Sequence, residues 1–265
     1  MDIKESTFDY NGLAVNTYAF GKGQPIIVLH GWGANSEVML PITSSLKLKR
    51  RFYLIDFPGF GKTPPPTEPW DIDRYADLVE AFIKQLESKP VDVIAHSFGG
   101  RVMLKLCARK NSESLVDKVL ITGGAGMKPR RSAMFYVRKY TAKALKFPFT
   151  ILPEKLSEKG LNWLRGSKLW KSLGSSDYKT LDGVIREVFV KTISEYLEPT
   201  LPKINQEVLL LWGQNDEATP VYQAKRMEKG IKNAGLAVIN GAGHYAFLDR
   251  PHQFKVITET FFKGS

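Results

Sequence analysis

The segment Ala95-His96-Ser97-Phe98-Gly99-Gly100 joins two stretches with different periodicities. Before it, Val91 to Ala95 is a short apolar run broken only by Asp92 and reads as a strand. After it, Arg101-Val-Met-Leu-Lys-Leu-Cys-Ala-Arg109 reads as a helix. A chain that passes from strand to helix within two or three residues leaves little room for side chains, which accounts for Gly99 and Gly100. It also forces the apex residue, Ser97, outwards. Small-x-Ser-x-Gly in this setting is the nucleophile-elbow pattern, with a hydroxyl at the carboxyl edge of a sheet and a helix N-terminus beneath it. Ala95 stands at the first small position, where the pattern has glycine, and alanine also leaves space.

The rest of the chain supplies a sheet for that elbow. Thr7 to Tyr10 and Leu13 to Phe20 flank Asn11-Gly12, the signature of a type I′ hairpin. Pro25-Ile-Ile-Val-Leu29 is an unbroken apolar run, as in a strand covered on both faces, and it ends in His30-Gly31-Trp32-Gly33. Further strands are expected at Arg51 to Asp56, Lys118 to Thr122, Glu207 to Trp212 and Leu236 to Asn240. Asp71 caps a helix to about Leu86, and a last helix starts near Pro251. Strands alternating with helices predict an α/β protein with a mainly parallel sheet, opened by the antiparallel hairpin.

The alternation fails between about Met127 and Thr200, where helical stretches follow one another. The organisation expected is therefore a core domain over 1–126 and 201–265 with a helical insertion over 127–200. From Lys128 to Lys171 there are twelve Lys and Arg against Glu154 and Glu158, so this stretch carries most of the chain's net charge of +11. Within Ser132 to Lys146, Met134, Val137, Tyr140, Thr141, Ala144 and Leu145 share one helical face, with Lys139, Lys143 and Lys146 opposite and Arg131 and Arg138 near the edge. The reading preferred is a lid helix with a solvated basic face, over attraction to an anionic membrane or an acidic partner. No nucleic-acid-binding module accompanies the charge. At 265 residues the chain is long enough for a sizeable core, and its single cysteine, Cys107, excludes an internal disulfide and reads as a buried apolar residue. No Cys/His cluster has metal spacing, and the N-terminus lacks an apolar leader, so a cytoplasmic protein is expected.

A serine hydroxyl needs a base, and the base needs an orienting partner. Of the four histidines, His30 opens a loop, His96 adjoins Ser97 on the strand end, and His252 follows Pro251. His244 lies in Asn240-Gly241-Ala242-Gly243-His244-Tyr245, a loop that leaves the last strand at the same sheet edge as Ser97. His244 is the candidate base. Asp216, in Trp212-Gly213-Gln214-Asn215-Asp216, is the candidate acid, preferred to Glu217 because the latter faces the helix start at Thr219-Pro220.

Over essentially its whole length the chain resembles hydrolases of the α/β-hydrolase fold. The resemblance is carried by His30-Gly31-Trp32-Gly33, Asp56-Phe57-Pro58-Gly59-Phe60-Gly61, the elbow, Gly213-Gln214-Asn215-Asp216 and Gly243-His244, in the family's order. It implies Ser97 as nucleophile, His244 as base, Asp216 as its partner, and an oxyanion hole from the backbone N–H groups of Trp32 and Phe98. Each such donor is typically worth ~3 kcal/mol to the transition state. It further implies that Asp56 and His30 are structural, that the insertion is a cap, and that neither metal nor organic cofactor takes part. Loop position places Trp32, Phe98, aromatic residues of the insertion, and Tyr245 or Phe247 around the substrate.

Ser97 excludes relatives with a carboxylate nucleophile, the haloalkane dehalogenases and epoxide hydrolases. The substrate expected is a small carboxylic ester, because ester cleavage demands least of the geometry. Thioester, amide and C–C bond hydrolysis remain alternatives, as does a slow-turnover ligand receptor that keeps the same three residues. The oligomeric state is left open.

Overall fold

The computed structural model describes residues 2–130, 133–151, 153, 156–160 and 183–263. By internal contacts the chain forms two compact units, one of residues 1–128 and 187–265 and one of residues 129–186.

The first unit begins with the hairpin of β1 (Lys4–Tyr10) and β2 (Leu13–Gly21). Asn11 and Gly12 both take positive φ, 53° and 83°, as a type I′ turn requires. β3 (Gln24–Leu29), β4 (Arg50–Ile55), β5 (Val91–His96), β6 (Val116–Thr122), β7 (Glu207–Gly213) and β8 (Ala234–Ile239) follow. Among the described residues these form one eight-stranded sheet in the order β1-β2-β4-β3-β5-β6-β7-β8. β1 to β2 and β2 to β4 pair antiparallel, and every later pair is parallel. The apolar runs lie where expected, and β5 is buried along its whole length.

Helices cover the sheet. α1 (Ser36–Ser45) follows β3 and α2 (Ile72–Gln85) precedes β5. Asp71 caps α2 by accepting a bond from the Arg74 N–H at 3.1 Å. α3 (Phe98–Cys107) leaves the elbow, with Cys107 buried and its thiol pushed above the usual range by that burial. α1 has no counterpart in the sequence reading, for it contains Pro41 and has little apolar periodicity. From β3 the chain moves to β4 on one side, then crosses to β5 on the other. The loops after β3 and β5 thus leave neighbouring strands in opposite directions and open a crevice at the carboxyl edge.

In the second unit, α4 (Ala133–Thr150) is the principal described helix. Arg131, Ser132, the side chains of Met134, Arg138 and Lys139, and residues 161–182 of the expected insertion lie outside the described residues. α5 (Gly183–Ser194) carries the chain back into the first unit. The expected insertion, 127–200, is too long at its C-terminal end. Val188 and Thr192 are buried, Arg101 donates to the carbonyl of Glu195 at 2.9 Å and also to that of Thr192, and Leu197 N–H meets Gly126 O at 2.8 Å. Those bonds make 187–200 part of the first unit.

Candidate active site

Ser97 lies between β5 and α3 with φ 49° and ψ −103°, a conformation that an L-residue adopts only when its surroundings impose it. Its N–H bonds Thr122 O at 3.0 Å and its carbonyl accepts from Ala125 N–H at 3.0 Å and Arg101 N–H at 3.2 Å. The neighbouring glycines are required by contact. A Cβ on Gly99 would lie 2.7 Å from Leu29 Cβ, and one on Gly31 would lie 2.7 Å from His96 Nδ1 and 3.2 Å from Ser97 Cβ.

His244 and Asp216 come from the loops after β8 and β7. Asp216 Oδ2 lies 2.9 Å from His244 Nδ1, and Ser97 Oγ lies 3.0 Å from His244 Nε2. An ionised carboxylate only accepts, so Nδ1 carries the ring proton and Nε2 presents a lone pair to the serine hydroxyl. In that tautomer the imidazole can take the hydroxyl proton. Burial pushes the Asp216 carboxyl up, but bonds from His244, the Thr219 N–H and the Thr219 hydroxyl outweigh it and hold the group below its ordinary value. Glu217 is exposed and takes no part in this contact.

Thr219 is the residue that the sequence reading missed. Its N–H donates to Asp216 Oδ1 at 2.8 Å, and its hydroxyl lies 2.9 Å from both Asp216 Oδ2 and Gly123 O. The hydroxyl has one proton for two acceptors, so it links the loop after β6 to the acid. An acidic residue with threonine three positions on is a local turn signal, and it was available in Asp216-Glu217-Ala218-Thr219.

The other two buried histidines are differently tied. His30 donates from Nδ1 to Gly31 O at 2.7 Å and accepts from the Phe57 N–H at Nε2, 2.9 Å away. His96 reaches the His244 carbonyl from Nε2 at 3.2 Å, and its buried Nδ1 has no hydrogen-bond partner among the described residues. Burial lowers His30 to about 4, and burial together with His244 lowers His96 to about 3, so both are neutral. Asp56 accepts from the N–H groups of Ser36 (2.8 Å) and Lys62 (3.1 Å) and from the Asn16 amide (3.1 Å).

The loop after β3 runs alongside the start of α3, since Gly99 N–H bonds His30 O at 3.1 Å. The Phe98 N–H, at the first turn of α3, has no acceptor within the helix. Trp32 packs edge-on against Phe98 (5.4 Å between ring centres), Phe60 (4.8 Å) and, tilted, Phe189 (5.1 Å). Phe189 is one of the aromatic residues of the expected insertion. Of the four side chains expected to face a substrate, Trp32 and Tyr245 retain exposed surface, but Phe98 and Phe247 do not. Phe247 is only 1% exposed and packs under His96 at 5.2 Å and against Phe254 at 5.8 Å, so it belongs to the core. Among the described residues no group of three or more His, Cys, Asp or Glu is placed to hold a metal ion.

The model of the alpha/beta hydrolase fold family matches residues 24–251. The chain belongs to this family. It is 28% identical over 252 residues to the AB hydrolase superfamily protein YisY of Bacillus subtilis, covering 91% of this chain and 92% of that protein. It is 26% identical over 248 residues to the pimeloyl-[acyl-carrier protein] methyl ester esterase of Nitrosomonas europaea, covering 88% and 94% of the two chains. Among solved structures, the esterase EaEST from Exiguobacterium antarcticum superimposes with a TM-score of 0.71 at 24% identity, over 96% of this chain and 97% of that one. At that identity the likeness speaks for the fold of this α/β hydrolase.

Proposed function

We propose that this α/β hydrolase is a serine hydrolase that cleaves small carboxylic esters through an acyl-enzyme on Ser97. The observation that carries the reading is the hydrogen-bonded series Ser97 Oγ, His244, Asp216, with a lone pair of His244 directed at the hydroxyl. His244 takes the proton as Ser97 Oγ attacks the ester carbonyl, then delivers it to the departing alcohol. A water molecule, deprotonated by the same nitrogen, attacks the acyl carbonyl and releases the acid and Ser97. Asp216 holds the Nδ1–H tautomer and stabilises the imidazolium formed in each half-reaction. The amides of Phe98 and Trp32 receive the charge that develops on the carbonyl oxygen. The kinship with a methyl ester esterase at similar length supports an ester as substrate.

The test is turnover of p-nitrophenyl esters from acetate to palmitate by the wild type and by Ser97→Ala. Turnover lost in the variant supports the reading, and the chain-length optimum reports the depth of the acyl site. Absence of turnover on every ester, with Ser97 left unlabelled by a fluorophosphonate, overturns it. Labelling without turnover overturns the ester assignment and directs the search to thioester, amide or C–C bonds.

A further inference from the structure

His96 is a buried titratable side chain that the proposed acyl transfer does not use, although it precedes Ser97 in the chain and packs against His244. Its ring is 1% exposed. Centre to centre it lies 4.8 Å from the His244 ring, 4.8 Å from that of Tyr245 and 5.2 Å from that of Phe247. The ring also meets the loop after β3, for a Cβ on Gly31 would come within 2.7 Å of Nδ1 and 3.1 Å of Cε1. Gly31 precedes Trp32, whose N–H belongs to the proposed oxyanion hole. One side chain thus touches the segments that carry the nucleophile, the base and an oxyanion donor.

The two nitrogens of this ring are unequally served. The His244 carbonyl only accepts, so Nε2, 3.2 Å away, carries the proton of the neutral ring and donates it. Nδ1 then presents a lone pair, and among the described residues no donor meets it. A buried nitrogen in that state costs stability, which a plain apolar side chain in the same aromatic setting would avoid. What an apolar side chain could not supply is the Nε2–H bond.

That bond falls where the loop of the base has least support of its own. Gly243 N–H donates to Asp249 at 2.7 Å, and the Tyr245 carbonyl accepts from the N–H groups of Leu248 (2.8 Å) and Asp249 (3.0 Å). The carbonyl of His244, between them, takes its bond from His96 and, among the described residues, from no backbone N–H. The backbone of the base is therefore tied to the residue before the nucleophile. His244 Nε2 and Ser97 Oγ are 3.0 Å apart, and a slip of about 1 Å between the two segments ends that contact.

We propose, on the reading of Ser97 as nucleophile and His244 as base, that His96 is a positioning residue: its Nε2–H holds the His244 backbone so that the imidazole stays in reach of the hydroxyl.

The rate at which a fluorophosphonate labels Ser97 tests this without reference to any ester. It is measured for the wild type, His96→Leu and His96→Gln, with Ser97→Ala as the blank, together with urea unfolding of each. Leucine fills the slot without a donor, whereas glutamine brings an amide N–H₂ that reaches towards the same carbonyl. His96→Leu should label about tenfold more slowly or worse, and His96→Gln should return to within about threefold of wild type. The same split is expected in kcat on the preferred p-nitrophenyl ester, with KM within about twofold of wild type. His96→Leu removes an unpaired nitrogen as it strands a carbonyl, so its urea midpoint should stay near wild type. Labelling of His96→Leu at the wild-type rate overturns the proposal, as does a loss in His96→Gln equal to that in His96→Leu. A urea midpoint that falls with labelling in both variants assigns His96 to packing alone and overturns it too. Where His96→Leu does not fold, His96→Gln decides: labelling near wild type supports the bond, and the larger loss in a folded protein overturns it. A wild type that stays unlabelled is a different failure, that of the serine-hydrolase reading, and the positioning role falls with it.

Discussion

Two acid–histidine sets lie at the carboxyl edge of this sheet, Asp56 with His30 and Asp216 with His244, and only in the second does a ring nitrogen face a side-chain hydroxyl. At His30 both ring nitrogens are taken by backbone groups, Gly31 O and Phe57 N–H, and the ring is 1% exposed. At His244 one nitrogen is held by Asp216 while the other meets a hydroxyl, and the side chain is 18% exposed. Asp56 gives its oxygens to Ser36, Lys62 and Asn16, fastening three segments of chain. Asp216 gives one oxygen to the Thr219 N–H and the other to the Thr219 hydroxyl and the histidine. Composition does not separate the sets. What separates them is whether a ring nitrogen remains for a reacting group.

Breaking the second set should have the largest effect. Asp216→Asn removes the acceptor that selects the His244 tautomer, and kcat on the preferred ester should fall about 10⁴-fold, with His244→Ala at least as severe. Steady-state kinetics with active-site titration measures both. The same change in the first set, Asp56→Asn, should leave kcat of the folded enzyme near wild type. It sets an amide N–H₂ against backbone donors, and urea unfolding should show a loss of about 2 kcal/mol.

Acid should act on the first set through His30, together with His96. Their folded values of about 4 and about 3 lie below the ordinary histidine value of 6.5. The unfolded chain therefore takes up protons that the folded chain refuses, and stability present above pH 6.5 is lost as pH falls towards about 4. The two groups together predict a slope of roughly 2 kcal/mol per pH unit over that window. Urea midpoints at stepped pH give the slope, and His30→Gln should roughly halve it. A profile flat between those limits contradicts the neutral, buried assignment.

The smallest effect sharpens the contrast within the second set. Thr219→Val removes a donor from Asp216 and Gly123 but keeps the side-chain shape, so kcat/KM should fall about five- to tenfold. Thr219→Ser should recover most of it. Loss in Thr219→Ser with Thr219→Val near wild type would show that the methyl group, not the hydroxyl, matters there.

Much of this was legible because parallel strands announce themselves as short apolar runs and bring their carboxyl-end loops together. Ser97, Asp216 and His244 are far apart in sequence, yet each follows a strand, and that alone places them at one edge. Thr219 escaped because its role is a local turn bond, a signal carried by two residues and not by periodicity. Helix α1 escaped because Pro41 interrupts its middle. Phe247 was misplaced because loop position cannot tell a side chain above His96 from one beneath it. For α4, spacing showed which residues share a face, whereas exposure depends on packing partners that spacing does not name.

The glycine contacts around Ser97 bear on how this protein can diversify. With a Cβ at Gly31 or Gly99 blocked at 2.7 Å, these positions accept no other residue without displacing the elbow itself. Substitution there is closed to evolution and to the engineer alike. Trp32 and Tyr245 keep exposed surface, and substitution there has room that the two glycines lack.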